Sequence, residues 1–247
     1  MKRLQGKRAF VTGAGRGIGK AIASGLASAG AEVAIADINP ETAEAAAREI
    51  PNATPIVVDV SDRKAVFAAI DGYAANGGLH ILVPNAVYFN YAPLVDMPED
   101  VVDRMLDIGL KGTFWAVAAA TPHIAKSGGG SIITLSSIAV SIAIPRAAVY
   151  TSIKGAIDAF TRQQAIELAP LGIRVNALAP GTVPTPGVAS IADEAALERR
   201  KALSPFNRLV QAEEIADGAV FLASEEARSI TGITLKIDAA QTISGPR

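Results

Sequence analysis

Residues 11–20 read VTGAGRGIGK, and the fold follows from how that stretch is interpreted. A β-branched run, RAFVT, stops at Thr12, and an Ala-rich segment with helical spacing follows over residues 18–29. Gly13, Gly17 and Gly19 occupy the join, where the chain must turn sharply and open a helix with bare backbone. A pyrophosphate approaching such a join meets amide N–H groups and the positive end of the helix dipole, which together stabilise its charge. The spacing is T-G-x-x-x-G-x-G rather than G-x-G-x-x-G. A glycine-rich turn alone serves a structural role equally well. A strand before it, a helix after it and a surrounding βαβ unit are what point to a dinucleotide.

Working outward, short β-branched runs recur as EVAIAD, TPIVVD, LHILVP, GSIITLS, GIRVNAL and GITLKI. Between them, helical spacing covers residues 40–49, 64–75, 99–125, 149–169 and 212–223. Alternation on this scale predicts an α/β fold, a single-domain Rossmann-like doubly wound parallel sheet of about seven strands with helices on both faces. Its ligand belongs beyond the carboxyl ends of the strands, near the point where strand order reverses. No linker or repeat divides residues 1–247. The one irregular stretch, PGTVPTPGVAS at 180–190, leads into a charged helical segment ending near Ala202. Residues 182–203 therefore read as a lid over a substrate or as a plain connecting loop.

Apolar residues make up 50% of the sequence and aromatics 5%, so the core is expected to be Ala, Val, Ile and Leu packed between layers. A formal net charge of −1 without blocks of like charge offers no footprint for nucleic acid or an anionic membrane. A small neutral or modestly charged molecule is the expected partner. The absence of cysteine removes disulfides, thiolate nucleophiles and Cys-ligated zinc, and fits a reducing compartment. His80 and His123 are too few and too far apart to suggest a metal site. The basic N-terminal residues run straight into the first strand without a signal-peptide apolar region, and no stretch approaches the roughly 18 apolar residues of a membrane span. Cytoplasm is the expected location.

Asp37 closes the second strand-like run, where a carboxylate can accept both hydroxyl hydrogens of an adenosine ribose and repel a 2′-phosphate. Arg16, inside the glycine turn, is a counter-signal because a guanidinium can pair with that phosphate. The unscreened carboxylate is the larger penalty, so NAD is expected over NADP. Asp59 ends the third run, placed either to accept the adenine amino hydrogen or to begin a turn with Ser61 capping the next helix.

Tyr150 and Lys154 stand four apart in VYTSIKGAIDAF, on one face of a helix whose apolar residues Val149, Ile153, Ile157 and Phe160 repeat with helical spacing. A positive charge beside a phenol favours the phenolate, which suits the hydroxyl to proton transfer near neutral pH. Y-x-x-x-K occurs by chance in any helical protein. Ser137, however, lies 13 residues upstream at the end of the strand in SIITLSSIAV, where a parallel sheet delivers functional side chains. The glycine turn, Ser137, Tyr150, Lys154 and the later NALAPGTVPTP together resemble the single-domain branch of the short-chain dehydrogenase/reductase family, over nearly the whole chain.

The resemblance implies an NAD(P)-dependent oxidoreductase that moves a hydride between the cofactor and a small secondary alcohol or ketone. It implies Tyr150 as general acid/base, Lys154 on the nicotinamide ribose and lowering the tyrosine pKa, and Ser137 positioning the reacting oxygen. Asn85 lines the cofactor cleft, Ile18 contributes a backbone contact, and Asp59 and Val60 contact adenine. Pro180, Gly181, Val183 and Thr185 flank the nicotinamide. Val87, Tyr88, Phe89, Val140, Ile144 and Pro145 form an apolar candidate wall suited to a hydrophobic or cyclic substrate. Relatives of this kind usually form homotetramers, and Ala-rich faces over 114–125 and 156–168 would serve such an interface or internal packing.

Three departures from the family pattern stand out. Gly109 replaces an Asn whose backbone carbonyl holds a water of a proton relay; PNAV at 84–87 replaces NNAG; and IDAA at 237–240 replaces VDGG. Glycine still permits a local helix distortion with an accessible carbonyl. Val87 either narrows the space beside the nicotinamide or packs against the following helix. Gly109 also motivates a second reading, a catalytically weakened dinucleotide-binding sensor or scaffold. A sugar-nucleotide epimerase shares Y-x-x-x-K but usually brings a longer C-terminal substrate domain than the roughly 60 residues that follow the Pro-Gly segment here.

Overall fold

A computed structural model of the protein describes residues 2–189 and 193–245. Seven strands, β1 (Arg8–Thr12), β2 (Glu32–Asp37), β3 (Ala53–Val57), β4 (Ile81–Val83), β5 (Gly130–Leu135), β6 (Ile173–Pro180) and β7 (Thr234–Ile237), form one sheet. Their order is β3-β2-β1-β4-β5-β6-β7, and every neighbouring pair is parallel. The helices are α1 (Gly17–Ser28), α2 (Pro40–Glu49), α3 (Arg63–Ala74), α4 (Glu99–Leu106), α5 (Gly112–Lys126), α6 (Ala148–Leu168), α7 (Pro186–Ala189), α8 (Glu194–Ala202) and α9 (Ala212–Ala223).

Period-two alternation along the strands divides the core between the two faces. Val11, Val33, Ile35 and Val83 point to one side, where Ile22, Leu26, Ile215 and Leu222 of α1 and α9 cover them. Phe10, Ala34, Ala36 and Leu82 point to the other, against Val66, Ile70, Ala116 and Ala120 of α3 and α5. The five inner strands, β2, β1, β4, β5 and β6, are buried on both faces, which is why their sequences read as continuous apolar runs, whereas the edge strands β3 and β7 stay partly exposed. Strand order reverses between β1 and β4, and a crevice opens beyond the carboxyl ends of that pair.

Four helices begin on side-chain caps: Asn39 for α2, Asp62 for α3, Asp193 for α8, and a reciprocal Gln211–Glu214 pair for α9. Asp62, not Ser61, therefore caps α3; Ser61 instead gives its hydroxyl and amide hydrogens to Asp59. The helix expected over 99–125 is interrupted. Asp107–Lys111 form a π turn between α4 and α5, although the apolar spacing continues through it. Two close approaches surround that turn: a Cβ on Gly112 would lie 3.0 Å from Val60 Cγ2, and one on Gly109 would lie 3.2 Å from Ile153 Cγ2. The stretch read as irregular is shorter than expected, since residues from Pro186 already form a helical turn. Ser190 lies outside the described residues.

No helix among the described residues is long and apolar enough to cross a membrane. No group of three or more His, Cys, Asp or Glu side chains among them could hold a metal. His80 Nδ1 accepts the Arg8 amide hydrogen at 3.1 Å, and His123 Nε2 lies 2.7 Å from Asp71 Oδ1.

Candidate active site

A cleft of about 560 Å³ runs across the strand ends from Asp37 and Asp59 at one end to Tyr150 and Lys154 at the other. Its floor at the first end is the glycine turn. Asn85 braces that turn by donating from Nδ2 to the carbonyls of Thr12 and Gly13 at 2.9 and 3.0 Å. Thr12 Oγ1 in return accepts the amide hydrogens of Asn85 and Ala86 at 3.0 and 3.1 Å. The ends of β1 and β4 are thus tied together where the sheet reverses. A Cβ on Gly19 would fall 2.2 Å from the Gly13 carbonyl oxygen, so the helix can approach this closely only with glycine there.

Unlike α2, α3, α8 and α9, helix α1 starts with neither a side-chain cap nor an acidic residue in its first turn. Arg16 occupies its N-cap position and lines the cleft with Gly13, Gly17, Ile18 and Gly19. Orphan amide donors and the helix dipole there fit an anion. Asp37 Oδ2 accepts the Gly15 amide hydrogen at 2.9 Å and Oδ1 that of Asn39 at 3.1 Å, so the carboxylate is fixed at the cleft's edge beside the exposed Ile38. Asp59 Oδ1 holds Ser61 while Oδ2 takes no hydrogen bond from a described residue, and Asp59 and Val60 both line the cleft. Asp59 therefore begins a turn and lines the cleft, but the cap of the following helix is Asp62 rather than Ser61.

At the other end, β5 delivers Ser137 and α6 delivers Tyr150 and Lys154. Ser137 Oγ accepts the Ala139 amide hydrogen at 3.1 Å, capping a single helical turn over Ile138–Val140, and its hydroxyl acts on that of Tyr150 in the sense that favours the phenolate. Lys154 is 4% exposed, and its Nζ donates to the Leu135 carbonyl at 2.6 Å. Burial without a carboxylate partner lowers its pKa to about 8. Burial also raises the Tyr150 pKa, opposed by the Ser137 hydroxyl. The expected lowering of the phenol by Lys154 is not what the structure displays, since the ammonium is turned to a main-chain carbonyl and lies 5.8 Å from the ring centroid.

Pro180, Gly181, Val183 and Thr185 line the cleft, as do Val87, Tyr88, Phe89, Ile144 and Pro145. Val140 does not. The turn capped by Ser137 carries it to a separate recess of about 250 Å³ shared with Asp158, Arg162 and Lys236, where it is 40% exposed. Sequence reasoning missed Thr12 and Gly15 beside the glycine turn, and also Tyr91, Arg104, Arg200 and Gln241. Thr12 was legible in the T-G pair. Tyr91 lies just beyond the wall read at 87–89 and Arg200 within the 182–203 stretch, whereas Arg104 and Gln241 come from segments with no local signal. Tyr91 packs 5.6 Å from the Tyr150 ring and Phe89 6.0 Å, measured between centroids.

Two of the departures meet in space. A Cβ on Gly109 would lie 3.9 Å from Val87 Cγ2, so the valine packs at the place the glycine leaves open, while the Gly109 carbonyl accepts the Thr113 hydroxyl hydrogen at 3.0 Å. The third departure carries strain: Ala239 and Ala240 have φ of 50° and 62°, a region that costs an L-residue about 1–2 kcal/mol each. Asp238 holds the turn by accepting the amide hydrogens of Ala240 and Thr242, both at 3.0 Å.

A reversal crevice with an uncapped helix start at one end and a Ser-Tyr-Lys cluster at the other defines a nicotinamide-dependent oxidoreductase. Comparison with known proteins agrees: a family model described as Enoyl-(Acyl carrier protein) reductase matches residues 13–240. Sorbitol dehydrogenase of Cereibacter sphaeroides is 39% identical over 259 residues, covering 98% of this chain and 100% of that protein. D-threitol dehydrogenase of Mycolicibacterium smegmatis is 37% identical over 246 residues, covering 98% and 95%. A solved structure of a gluconate 5-dehydrogenase from Burkholderia cenocepacia, in complex with NADP and tartrate, matches with a TM-score of 0.93 at 36% identity and covers 98% of each chain. The chain belongs to the short-chain dehydrogenase/reductase family.

Proposed function

We propose that this enzyme interconverts a small secondary alcohol and its ketone with NAD as its preferred cofactor, and that Tyr150 exchanges the proton. The observation that carries the reading is the convergence of Ser137, Tyr150 and Lys154 in one cleft with the glycine turn. The uncapped α1 terminus, with Gly13, Arg16, Gly17, Ile18 and Gly19, would hold the pyrophosphate. Asp37 would take the adenosine ribose, Asp59 and Val60 the adenine, and Pro180, Gly181, Val183 and Thr185 the nicotinamide. When bound, the nicotinamide supplies the hydride acceptor or donor.

The chain's own residues handle the oxygen and its proton. Ser137 donates to the substrate oxygen and orients it toward the Tyr150 hydroxyl. Burial keeps the phenol protonated at neutral pH, the form that donates to a ketone oxygen; alcohol oxidation needs the phenolate and therefore quickens as pH rises. Lys154, near the upper end of the neutral range, supplies a cation whose proton is readily lost and regained. Val183, Thr185, Val188, Arg200 and Leu203 line the cleft, which supports a lid role for the described part of 182–203 within a single functional domain, and the apolar wall favours the hydrocarbon part of the substrate. Two of the named relatives, the sorbitol and D-threitol dehydrogenases, are named for polyols, which supports an alcohol of that size, and none of them supports the sensor reading. A homotetramer in the cytoplasm is the expected working form.

The test is a spectrophotometric assay with NAD and with NADP over a panel of secondary alcohols. Tyr150→Phe should lower kcat by roughly 10²–10⁴-fold while leaving NAD binding within a few-fold. Asp37→Ala should cut the NAD-over-NADP preference in kcat/KM at least about tenfold by removing one ribose partner and one source of repulsion. Full activity in Tyr150→Phe would sink the proton assignment, and an unchanged ratio in Asp37→Ala the cofactor assignment.

A further inference from the structure

The acidic side chains of the cleft are confined to one end, where Arg16 accompanies them. Asp37 and Asp59 are its only acidic lining residues among those described, and both stand at the glycine-turn end. The far end carries guanidinium groups instead, Arg104 from α4 and Arg200 from α8. The Arg104 guanidinium lies over the Tyr88 ring, 4.4 Å from its centroid, a cation–π contact within the wall. Arg200 is half-buried and has no carboxylate partner among the described residues; on its own helix, Glu198 pairs with Lys201.

Arg200 is also close to the chemistry. Its charge acts on the Tyr91 hydroxyl, opposing the effect of burial, and the Tyr91 ring packs 5.6 Å from that of Tyr150. Leu203, one turn further along, and Gln241 from the C-terminal turn line the same part of the cleft. A guanidinium in a mostly apolar cleft gains most from an anion that accepts two parallel hydrogen bonds, and a carboxylate matches that fork. A phosphate monoester, with three oxygens and nearly two charges, calls for more donors than one guanidinium supplies.

We infer that the substrate is a hydroxy acid or keto acid whose carboxylate is bound by Arg200 while its carbinol carbon sits at Ser137 and Tyr150. The inference rests on the hydride-transfer reading proposed above and narrows its substrate class. It adds an anionic end to the small secondary alcohol proposed above.

The experiment compares four-, five- and six-carbon aldonates with the alditols of equal length, and with one alditol phosphate, in wild type, Arg200→Gln, Arg200→Lys and Arg199→Gln. Arg199 is exposed on the same helix and lies outside the cleft lining, which makes its variant the control for surface charge. The expected result is a kcat/KM at least tenfold higher for one aldonate than for its alditol, expressed mainly in KM. That ratio should collapse in Arg200→Gln, be partly retained in Arg200→Lys and be unchanged in Arg199→Gln. Equal use of acid and alditol, a ratio surviving Arg200→Gln, or a preference for the phosphate overturns the inference while leaving hydride transfer intact. Calorimetric titration of the same aldonate and alditol reads binding without turnover. Aldonate binding tenfold tighter and lost in Arg200→Gln supports the carboxylate site even if neither compound reacts, in which case it is the reaction assignment that fails. No difference in binding overturns the carboxylate site.

Discussion

At the glycine-turn end of the cleft, main-chain groups do most of the holding: Asn85 and Thr12 tie β1 to β4, Asp37 grips two amides, and α1 leaves its first amides uncapped. At the Tyr150 end, the lining consists of side chains from the segment after β4, from α4, α6 and α8 and from the C-terminal turn. The first region is specified by where side chains are missing, the second by which side chains converge. The same sheet therefore offers a fixed dinucleotide seat and a variable substrate chamber, and the two should respond differently to substitution.

The sharpest way to break the first region is Gly19→Ala. A methyl 2.2 Å from the Gly13 carbonyl cannot be accommodated by rotating a side chain, so the backbone of the turn must move. Overpacking of this kind costs about 1–3 kcal/mol and sometimes more. A thermal melt should show Tm lowered by roughly 10 °C, and calorimetry should show weaker dinucleotide binding. A wild-type melt would mean that the close approach is not rigid.

Lys154→Met tests the second region through pH. The folded-state pKa of about 8 lies below the ordinary 10.5, so from pH 8 to 10.5 the unfolded chain holds a proton the folded one has released. The wild type therefore gains stability as pH rises through that window, and below pH 8 the buried ammonium costs on the order of 3 kcal/mol. The raised tyrosines titrate alike in both proteins and cancel in the difference. Tm of Lys154→Met relative to wild type should be higher at pH 7 than at pH 10, while turnover is lost. A difference independent of pH would remove the burial argument.

The Val87–Gly109 approach predicts the smallest effect. Gly109→Asn alone brings a Cβ to 3.2 Å from Ile153 and directs its amide into space bordered by Val87, costing about 1–2 kcal/mol. Adding Val87→Gly should recover about 1 kcal/mol by urea denaturation, the coupling expected of neighbours. Strict additivity in the double-mutant cycle would show that the two departures are independent.

The same division explains what could be read from the sequence. The inner strands were legible because residues such as Val33, Ile35, Ile132 and Val175 are buried on both faces, giving unbroken apolar runs. The glycine turn was legible because Gly13 and Gly19 are demanded by geometry. The π turn at Asp107–Lys111 was legible only as the local distortion that Gly109 permits; the apolar spacing, which tolerates one residue of slip, gave a continuous helix over 99–125. Val140 was misplaced because nearness to Ser137 in sequence says nothing about the direction of the intervening turn. Tyr91, Arg104, Arg200 and Gln241 meet only after folding. Their pairing carries no periodicity, and the apolar wall read from 87–89 and 144–145 therefore lacked its charged counterpart.

The strained alanine pair after β7 has a kinetic consequence. Ser204 donates its hydroxyl hydrogen to the Ala239 carbonyl at 3.0 Å, and Ser244 does the same to Leu203 at 2.8 Å, so the last described residues are stitched to the end of α8. Ala239 and Ala240 store conformational energy that is released when those stitches open. Gln241 lines the cleft from that turn, so an opening that freed it would expose the Ala240 and Thr242 amides, and their hydrogen exchange would serve as a clock for how often the substrate chamber is unroofed.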